Sequence, residues 1–226
     1  MNIKHNKHKK ELREDPVMDW IINAKDNIVK YRTAVTGFAI GILILFGAAL
    51  TFKQINAKNQ KNALNLFGEA MIAYQDRNYD KAIDKFSATV NSYSSTPQAV
   101  FGAYMLGSIY SEQNKYQEAI DWFKKAVTSK KTAEFVSGQA LEGISACYEN
   151  LGQTDEAIKY LQEALGDKRI KHRHVAIKWK IALLSSKKDA ERTKQLCKEI
   201  MADTNAGEYY QKAENLLAAF QFKTAG

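Results

Sequence analysis

Imidazole and thiol groups are common metal ligands, nucleophiles and acid–base catalysts near neutral pH, and the sequence has four histidines and two cysteines. They are His5, His8, Cys147, His172, His174 and Cys197. Such chemistry needs these groups at matched spacing, as in CxxC or HExxH, and neither motif occurs. The sequence also has no glycine-rich phosphate loop and no nucleophile elbow. We therefore expect no enzymatic activity, no bound metal and no cofactor.

The two cysteines permit at most one disulfide. Cys147 and Cys197 both fall on apolar faces of predicted helices, so we expect two buried free thiols. A single bridge in an oxidising compartment is the alternative. His172 and His174 are two residues apart, which places them on different helix faces, and His5 and His8 are expected to be ordinary residues of a polar tail.

The positive charge is concentrated at the two ends of the chain. The formal net charge is +8, and residues 1–32 and 166–226 hold most of the excess Lys and Arg. The densest run, residues 167–180, carries six Lys or Arg and one Asp. An apolar stripe at helical spacing crosses it, formed by Ile170, His174, Ile177, Ile181 and Leu184. We expect the charges on a solvated helix face, so nucleic acid is disfavoured as a partner; acidic protein or anionic headgroups fit the run better.

Residues 33–52, TAVTGFAIGILILFGAALTF, contain no charge, no Pro and no polar residue except three Thr. Twenty helical residues rise about 30 Å, which matches the hydrocarbon thickness of a bilayer. The stretch is longer than the roughly 7–15 apolar residues of a signal peptide, so an uncleaved transmembrane helix is favoured over a cleaved signal. Eight Lys or Arg precede it and three Lys follow closely. The positive-inside rule then predicts a cytoplasmic N-terminus and an exported C-terminal part.

Two further features accompany this helix. Gly37 and Gly41 form a GxxxG spacing, which marks contact with a second copy or a partner helix, or else arises by chance. Before the membrane, Asp15 and Pro16 predict a helix start, and apolar residues follow at helical spacing between positions 17 and 29. This segment is either an amphipathic helix that lies on the cytoplasmic membrane surface or docks a partner, or a helical extension of the anchor.

A nine-residue block occurs three times in the rest of the chain: NYDKAIDKF at 78–86, KYQEAIDWF at 115–123 and QTDEAIKYL at 153–161. Its central alanines recur at intervals of 37 and 38 residues, and a fixed period of this size predicts stacked helical repeats. In each block a small residue permits close helix contact and a large one fills the next turn. These pairs are Ala82 and Phe86, Ala119 and Phe123, and Ala157 and Leu161.

The pattern resembles the tetratricopeptide repeat family. The second unit matches the family's signature at Leu106, Gly107, Tyr110, Ala119, Phe123 and Ala126, and the third at Leu141, Tyr148, Ala157, Leu161 and Ala164. The third unit has Ile144 and Ser145 where Leu-Gly is expected. Because the period exceeds the family's, the turns must be longer, as at residues 94–97, where Thr96 and Pro97 predict a helix start. A weaker fourth unit places Thr193, Cys197 and Ile200 at the packing positions, and residues 208–222 would cap the array.

The resemblance implies that the first helix of each pair lines a concave, protein-binding groove. By register, the groove residues are Leu64, Phe67, Met71 and Tyr74, then Phe101, Tyr104, Ser108 and Ser111, then Gln139, Glu142 and Glu149. The groove is then apolar and aromatic in its first half and polar and acidic in its second, which suits an amphipathic helix or an extended apolar segment. Leu64 and Phe67 have an alternative role in packing against neighbouring helices. The basic residues with which chaperone-binding members hold a C-terminal carboxylate are missing, so that ligand is disfavoured.

Few Pro and abundant Ala, Lys, Glu and Leu indicate an all-α protein. The predicted order is a basic tail and amphipathic helix (1–32), a single transmembrane helix (33–52), a helical connector (53–62), an α-solenoid of three to four tetratricopeptide-like helix pairs (63–202), and a capping helix and tail (203–226). This order resembles the YfgM-type ancillary subunits of the bacterial Sec translocon.

The resemblance implies a scaffold or adaptor of the bacterial inner membrane with a periplasmic repeat domain. Its partners would be a translocon subunit, a periplasmic chaperone or an unfolded client, besides the lipid bilayer. The alternatives are a structural subunit of a multiprotein envelope machine and a cytosol-facing receptor of the import type.

Overall fold

A computed structural model describes residues 16–128 and 134–223. The chain divides into two compact units, residues 1–57 and 58–226. No strand occurs in the described residues, so the all-α prediction is confirmed there. The basic tail with His5 and His8, and the predicted N-cap Asp15, lie outside the described residues.

The first unit contains helix α1, Pro16–Lys30, and the beginning of helix α2, Arg32–Gln75. Helix α1 begins at Pro16. Proline suits the first helical position because its ring fixes φ near the helical value, and because a backbone N–H at this position would have no intrahelical acceptor. Helix α2 contains the apolar segment 33–52, and its large side chains are exposed. Among the residues that the structure describes, α2 is the one helix with the length and apolar composition to cross a membrane.

The second unit is a series of helix pairs that starts with the C-terminal part of α2. The following helices are α3 (Tyr79–Ser92), α4 (Pro97–Glu112), α5 (Tyr116–Thr128), α6 (Glu134–Asn150), α7 (Thr154–Gly166), a 3₁₀ helix (Lys168–Arg173), α8 (His174–Ser185), α9 (Ala190–Met201) and α10 (Glu208–Lys223). From α3 onward each α-helix contacts the next, and α4 also contacts α6. Contacts within each helix pair and between neighbouring pairs define a solenoid.

The same turn joins the two helices in each of the first three pairs. One residue of each turn has a left-handed backbone: Arg77 (φ 57°), Asn114 (φ 61°) and Gly152 (φ 73°). The next residue then donates its N–H to a carbonyl five residues earlier, from Asn78 to Ala73, from Lys115 to Tyr110 and from Gln153 to Tyr148, at 2.8 to 2.9 Å. This bond satisfies a carbonyl that the end of the helix would otherwise leave without a partner.

The second pair begins at a local signal that the sequence predicts. Thr96 caps α4 by accepting a hydrogen bond from the N–H of Ala99 at 3.3 Å, and Pro97 is the first helical residue. Asn78 and Asp189 cap α3 and α9 in the same way. These caps fix where each helix starts and therefore which residues face the neighbouring helix.

The core lies between successive helices. The small and large residues of the repeated block are buried in it, together with residues of the preceding helix: Ala82, Phe86, Leu106, Gly107, Ala119, Phe123, Ala126, Ala157, Leu161 and Ala164. Tyr110 and Tyr148 are half-buried against the same core. Cys197 and Ile200 of α9 are buried in a separate cluster with Ala213 of α10, and Thr193 of α9 is also buried.

The apolar stripe that crosses residues 167–180 does not lie on one continuous helix. The 3₁₀ helix Lys168–Arg173 precedes α8, and Ile170 has φ −109° and ψ 29°. Ile170, Ile177 and Ile181 are nevertheless all buried. The apolar spacing reports burial correctly, but it does not reveal the break that turns the basic residues in new directions.

Candidate protein-binding groove

A concavity of about 390 Å³ opens between α4 and α6, the first helices of the second and third pairs. Its lining consists of Tyr104, Ser108, Ser111 and Glu112 of α4, Phe123 of α5, Gln139, Glu142 and Gly143 of α6, and Arg173 of the 3₁₀ helix. The α4 residues follow one another at three- and four-residue spacing, which places them on one helix face. The concavity therefore presents aromatic surface, hydroxyl groups, an amide and charged groups together.

An ion pair stands in this concavity. Arg173 donates from Nε to Glu142 Oε1 at 2.7 Å and from a terminal nitrogen to Oε2 at 3.0 Å. This two-bond geometry is the strong form of an arginine–carboxylate contact. The hydrogen bond with Glu142 raises the pKa of Arg173 above its usual value. The pair fixes both side chains at the edge of the concavity and joins the third helix pair to the segment that follows it.

The α4 side of the groove is polar, and its groups already have local partners. Ser108 Oγ donates to the carbonyl of Tyr104 at 3.2 Å, and Cys147 Sγ donates to Ser111 Oγ at 3.7 Å. Tyr74 donates from its hydroxyl to Glu112 at 3.1 Å. Burial and this carboxylate raise the pKa of Tyr74. Each hydroxyl retains a lone pair with which it can accept a hydrogen bond from a ligand backbone.

The first helix pair supplies an aromatic surface. The Phe67 ring lies 5.4 Å from the ring of Phe86 and 6.4 Å from that of Phe101, between centroids. Tyr74 lies 5.9 Å from Tyr79. Phe67, Met71 and Tyr74 are partly buried against the core, whereas Leu64 is exposed. Phe67 therefore has the packing role that the sequence offered as its alternative, and Leu64 does not.

The predicted groove residues divide into two groups. Tyr104, Ser108 and Glu142, with Ser111 and Gln139, line one concavity. Phe67 and Phe101 contact each other, and Met71 and Tyr74 pack on the first pair. The lining also contains four residues that were not predicted as groove residues: Glu112, Phe123, Gly143 and Arg173. Glu112 directly follows Ser111, so the repeat register could have predicted it. Arg173 could not be predicted in this way, because it belongs to the basic run that was expected on a solvated helix face.

The basic run is tied to the rest of the fold by ion pairs. Besides Arg173, Lys178 contacts Glu199 at 2.9 Å and Lys180 contacts Glu149, a predicted groove residue, at 3.5 Å. His174 Nε2 lies 3.2 Å from the backbone oxygen of Asp167. Arg173, Lys178 and Lys180 are therefore engaged with carboxylates of this chain, which weakens the run as a site for an acidic partner.

The two cysteines and the paired glycines of the apolar segment lie outside this groove. Cys147 and Cys197 are free and buried, as expected from the sequence. No group of three or more His, Cys, Asp or Glu that could hold a metal ion occurs in the part of the chain that the structure describes. Cβ atoms built on Gly37 and Gly41 would meet nothing within 4 Å in this single chain, so a helix contact there stays a prediction.

The fold and the groove define a helical-repeat scaffold. Models of tetratricopeptide repeats match residues 59–134 and 138–166. The chain therefore contains tetratricopeptide repeats over these residues. No curated protein sequence matches it.

Solved structures share the fold. One structure of MamA is 16% identical over 69% of this chain and 84% of its own, with a TM-score of 0.53, and a second is 18% identical over 72% and 89%, with a TM-score of 0.50. The N-terminal domain of stress-induced protein-1 from C. elegans is 15% identical over 56% of this chain and 97% of that domain, with a TM-score of 0.50. Identities this low support the fold alone. The resemblance to YfgM-type subunits stays a prediction.

Proposed function

We propose that this chain is a membrane-anchored scaffold whose groove between α4 and α6 holds a segment of another protein. The observation that carries the proposal is the concavity lined by Tyr104, Ser108 and Glu142, which the repeat register selects independently. Tetratricopeptide repeats bind proteins, and the lining offers an aromatic face beside hydrogen-bonding groups. This combination suits an extended segment whose backbone bonds to the polar groups while its side chains pack on the ring.

The charge of the groove indicates which segments fit it. Arg173 and Glu142 neutralise each other, which leaves Glu112 as the lining residue whose charge is not balanced by a cation within the concavity. Segments with apolar and basic residues are therefore favoured over acidic ones. This agrees with the absence of the basic residues that hold a C-terminal carboxylate.

The anchor part of the proposal rests on the apolar segment of α2. Its length and composition suit a single span, and the excess of Lys and Arg before it favours a cytoplasmic N-terminus. The repeat domain would then lie in the periplasm, on the outer side of a bacterial inner membrane. A periplasmic scaffold at the membrane is placed to assist translocation or chaperone traffic, with a translocon subunit, a chaperone or an unfolded client as its partner.

Site-specific photo-crosslinking tests the groove. A photoreactive amino acid replaces Tyr104 in the full chain, and the matched control carries it at the exposed Tyr210 of α10. The proposal expects crosslinks from position 104 to several secretory clients, a chaperone or a translocon subunit, and their loss when Ser108→Trp fills the groove. Crosslinks to one fixed neighbour support the structural-subunit alternative. Equal crosslinking from both positions would contradict a groove site.

Protease protection of a C-terminal tag tests the topology. In spheroplasts with an opened outer membrane, the proposal expects protease to digest the tag while a cytosolic reference protein stays intact. A protected tag would place the repeats in the cytosol and favour the receptor alternative. This result would leave the groove assignment standing, because the crosslinking experiment reports on it separately.

A further inference from the structure

Helix α1 leaves six large apolar side chains exposed: Val17, Met18, Trp20, Ile21, Ile22 and Val29. Trp20 has 71% of its surface exposed. Single exposed apolar residues are ordinary, but six on one 15-residue helix form a surface that marks an interaction site.

The helical register separates these residues from the polar ones. At 3.6 residues per turn, the polar positions fall within one arc of about 100° of the helix, and apolar positions occupy nearly all of the rest. The polar positions are Asp19, Asn23, Asp26, Asn27 and Lys30. Lys25 lies within the apolar arc, where a lysine stem can lie along apolar surface while its ammonium group reaches the headgroups.

The continuity of the chain indicates what this surface contacts. Tyr31 alone separates α1 from α2, and the apolar segment begins at Thr33. Residues 31–33 span at most about 10 Å of chain, so the end of α1 is held next to the point where the span enters the bilayer. The surrounding N-terminal region carries eight Lys or Arg against five Asp or Glu, a balance that favours anionic headgroups.

We propose that α1 lies in the membrane interface beside the span, with its apolar arc at the boundary between headgroups and acyl chains. The inference rests on the proposed membrane anchor. A 15-residue helix is about 22 Å long, which is too short to cross the bilayer. Its polar arc would also be costly to bury among the acyl chains. Trp20 lies at the edge of the apolar arc. There the apolar surface of its indole group can be buried while the indole N–H stays in the polar interface. The helix would thus fix the rotation and depth of the anchor.

Depth-dependent fluorescence quenching tests the inference in the full chain. The protein contains three tryptophans, so Trp122→Phe and Trp179→Phe leave Trp20 as the only reporter. The chain is reconstituted in phosphatidylcholine–phosphatidylglycerol vesicles with bromine atoms either high on the acyl chains or near the bilayer midplane. The reference variant has Leu43→Trp in the middle of the apolar segment and Phe at all three native positions.

The inference expects Trp20 to be quenched at least about twofold more by shallow than by deep bromine, and the Leu43→Trp reporter to show the opposite order. Ile21→Asp together with Ile22→Asp should abolish the quenching of Trp20, while Asn23→Asp on the polar arc should preserve it. An unquenched Trp20 beside a quenched reporter would overturn the interfacial helix and leave the anchor intact. Equal or deeper quenching of Trp20 would also overturn it. An unquenched reporter would overturn the anchor itself.

Discussion

A Cβ atom built on Gly107 would lie 2.6 Å from Cδ1 of Phe123, and one built on Gly143 would lie 2.7 Å from Cζ of the same ring. Gly107 belongs to α4, Gly143 to α6 and Phe123 to α5. The ring is therefore held between the two helices that form the candidate groove. Because neither helix has a side chain at the contact, both backbones approach the Phe123 ring closely. The ring therefore sets the distance between α4 and α6.

Gly107→Ala is expected to destabilise the repeat domain. An added methyl group in a packed core costs roughly 1–3 kcal/mol, and the better helix propensity of alanine returns only about 0.5–1 kcal/mol. The expected net loss is about 1–2 kcal/mol, because the obstacle is a buried ring that cannot move aside. Urea unfolding of the full chain, followed by far-UV circular dichroism, measures it.

The matched control for that variant is Gly68→Ala in α2. Gly68 is also inside a helix, but a Cβ atom there would meet nothing within 4 Å. Alanine should therefore stabilise the domain by about 0.5–1 kcal/mol through helix propensity alone. Two variants that shift the urea midpoint in the same direction would show that Phe123 does not constrain position 107.

Ile72 and Ile109 occupy the same position in consecutive repeats, but 61% of Ile72 is exposed and Ile109 is fully buried. Ile109 packs in the core of the first two helix pairs, whereas Ile72 lies on the first helix of the array. Ile109→Ala should cost about 2–5 kcal/mol through the cavity it leaves, and Ile72→Ala should stay within about 0.5 kcal/mol. Both are read from the same urea titrations. Similar losses would indicate that something covers Ile72 in solution.

The sequence predicts the parts of the fold that depend on local spacing. The Ala–Phe and Ala–Leu pairs recur because the second helix of each pair buries the same helix face. Thr96 and Pro97 indicate a helix start from their own residue types, independently of the rest of the chain. Tyr104 and Ser108 follow from the repeat register for the same reason. These signals lie within one helix or one turn, so a single sequence contains them.

Contacts between distant segments were not predictable in this way. Glu142 and Arg173 are 31 residues apart, and Arg173 lies in the 3₁₀ helix between α7 and α8, which the sequence did not reveal. Gly143 was missed because the repeat signature places its glycine near residue 145, whereas the contact with Phe123 falls at residue 143. In both places the geometry depends on how successive pairs stack, which the period of 37 or 38 residues does not specify.

Lys178→Met is expected to lower stability in a pH-dependent manner. The hydrogen bond from Lys178 lowers the pKa of Glu199 below its ordinary 4.5. A carboxylate with a depressed folded-state pKa adds stability above its unfolded pKa and loses it as the pH falls through the folded value. The variant should therefore be less stable by about 0.2–1 kcal/mol near neutral pH, since both partners are partly exposed.

The difference between wild type and Lys178→Met should shrink as the pH falls below 4.5. Urea unfolding at neutral and acidic pH measures it. Lys194→Met is the control, because Lys194 pairs with the highly exposed Glu191 and should contribute less. A destabilisation by Lys178→Met that is independent of pH would assign the effect to lost packing of the lysine stem instead.

Cys147 and Cys197 should resist alkylation in the native protein. Neither has exposed surface, and burial raises the pKa of both thiols above the ordinary 9.0, so little reactive thiolate forms near neutral pH. They also belong to separate core clusters, which disfavours a bridge between them. Iodoacetamide labelling followed by mass spectrometry should find both unmodified in buffer and both modified in urea. Ser108→Cys in the groove should label in buffer, and rapid native labelling of Cys147 or a bridged product under mild oxidation would contradict the burial of these thiols.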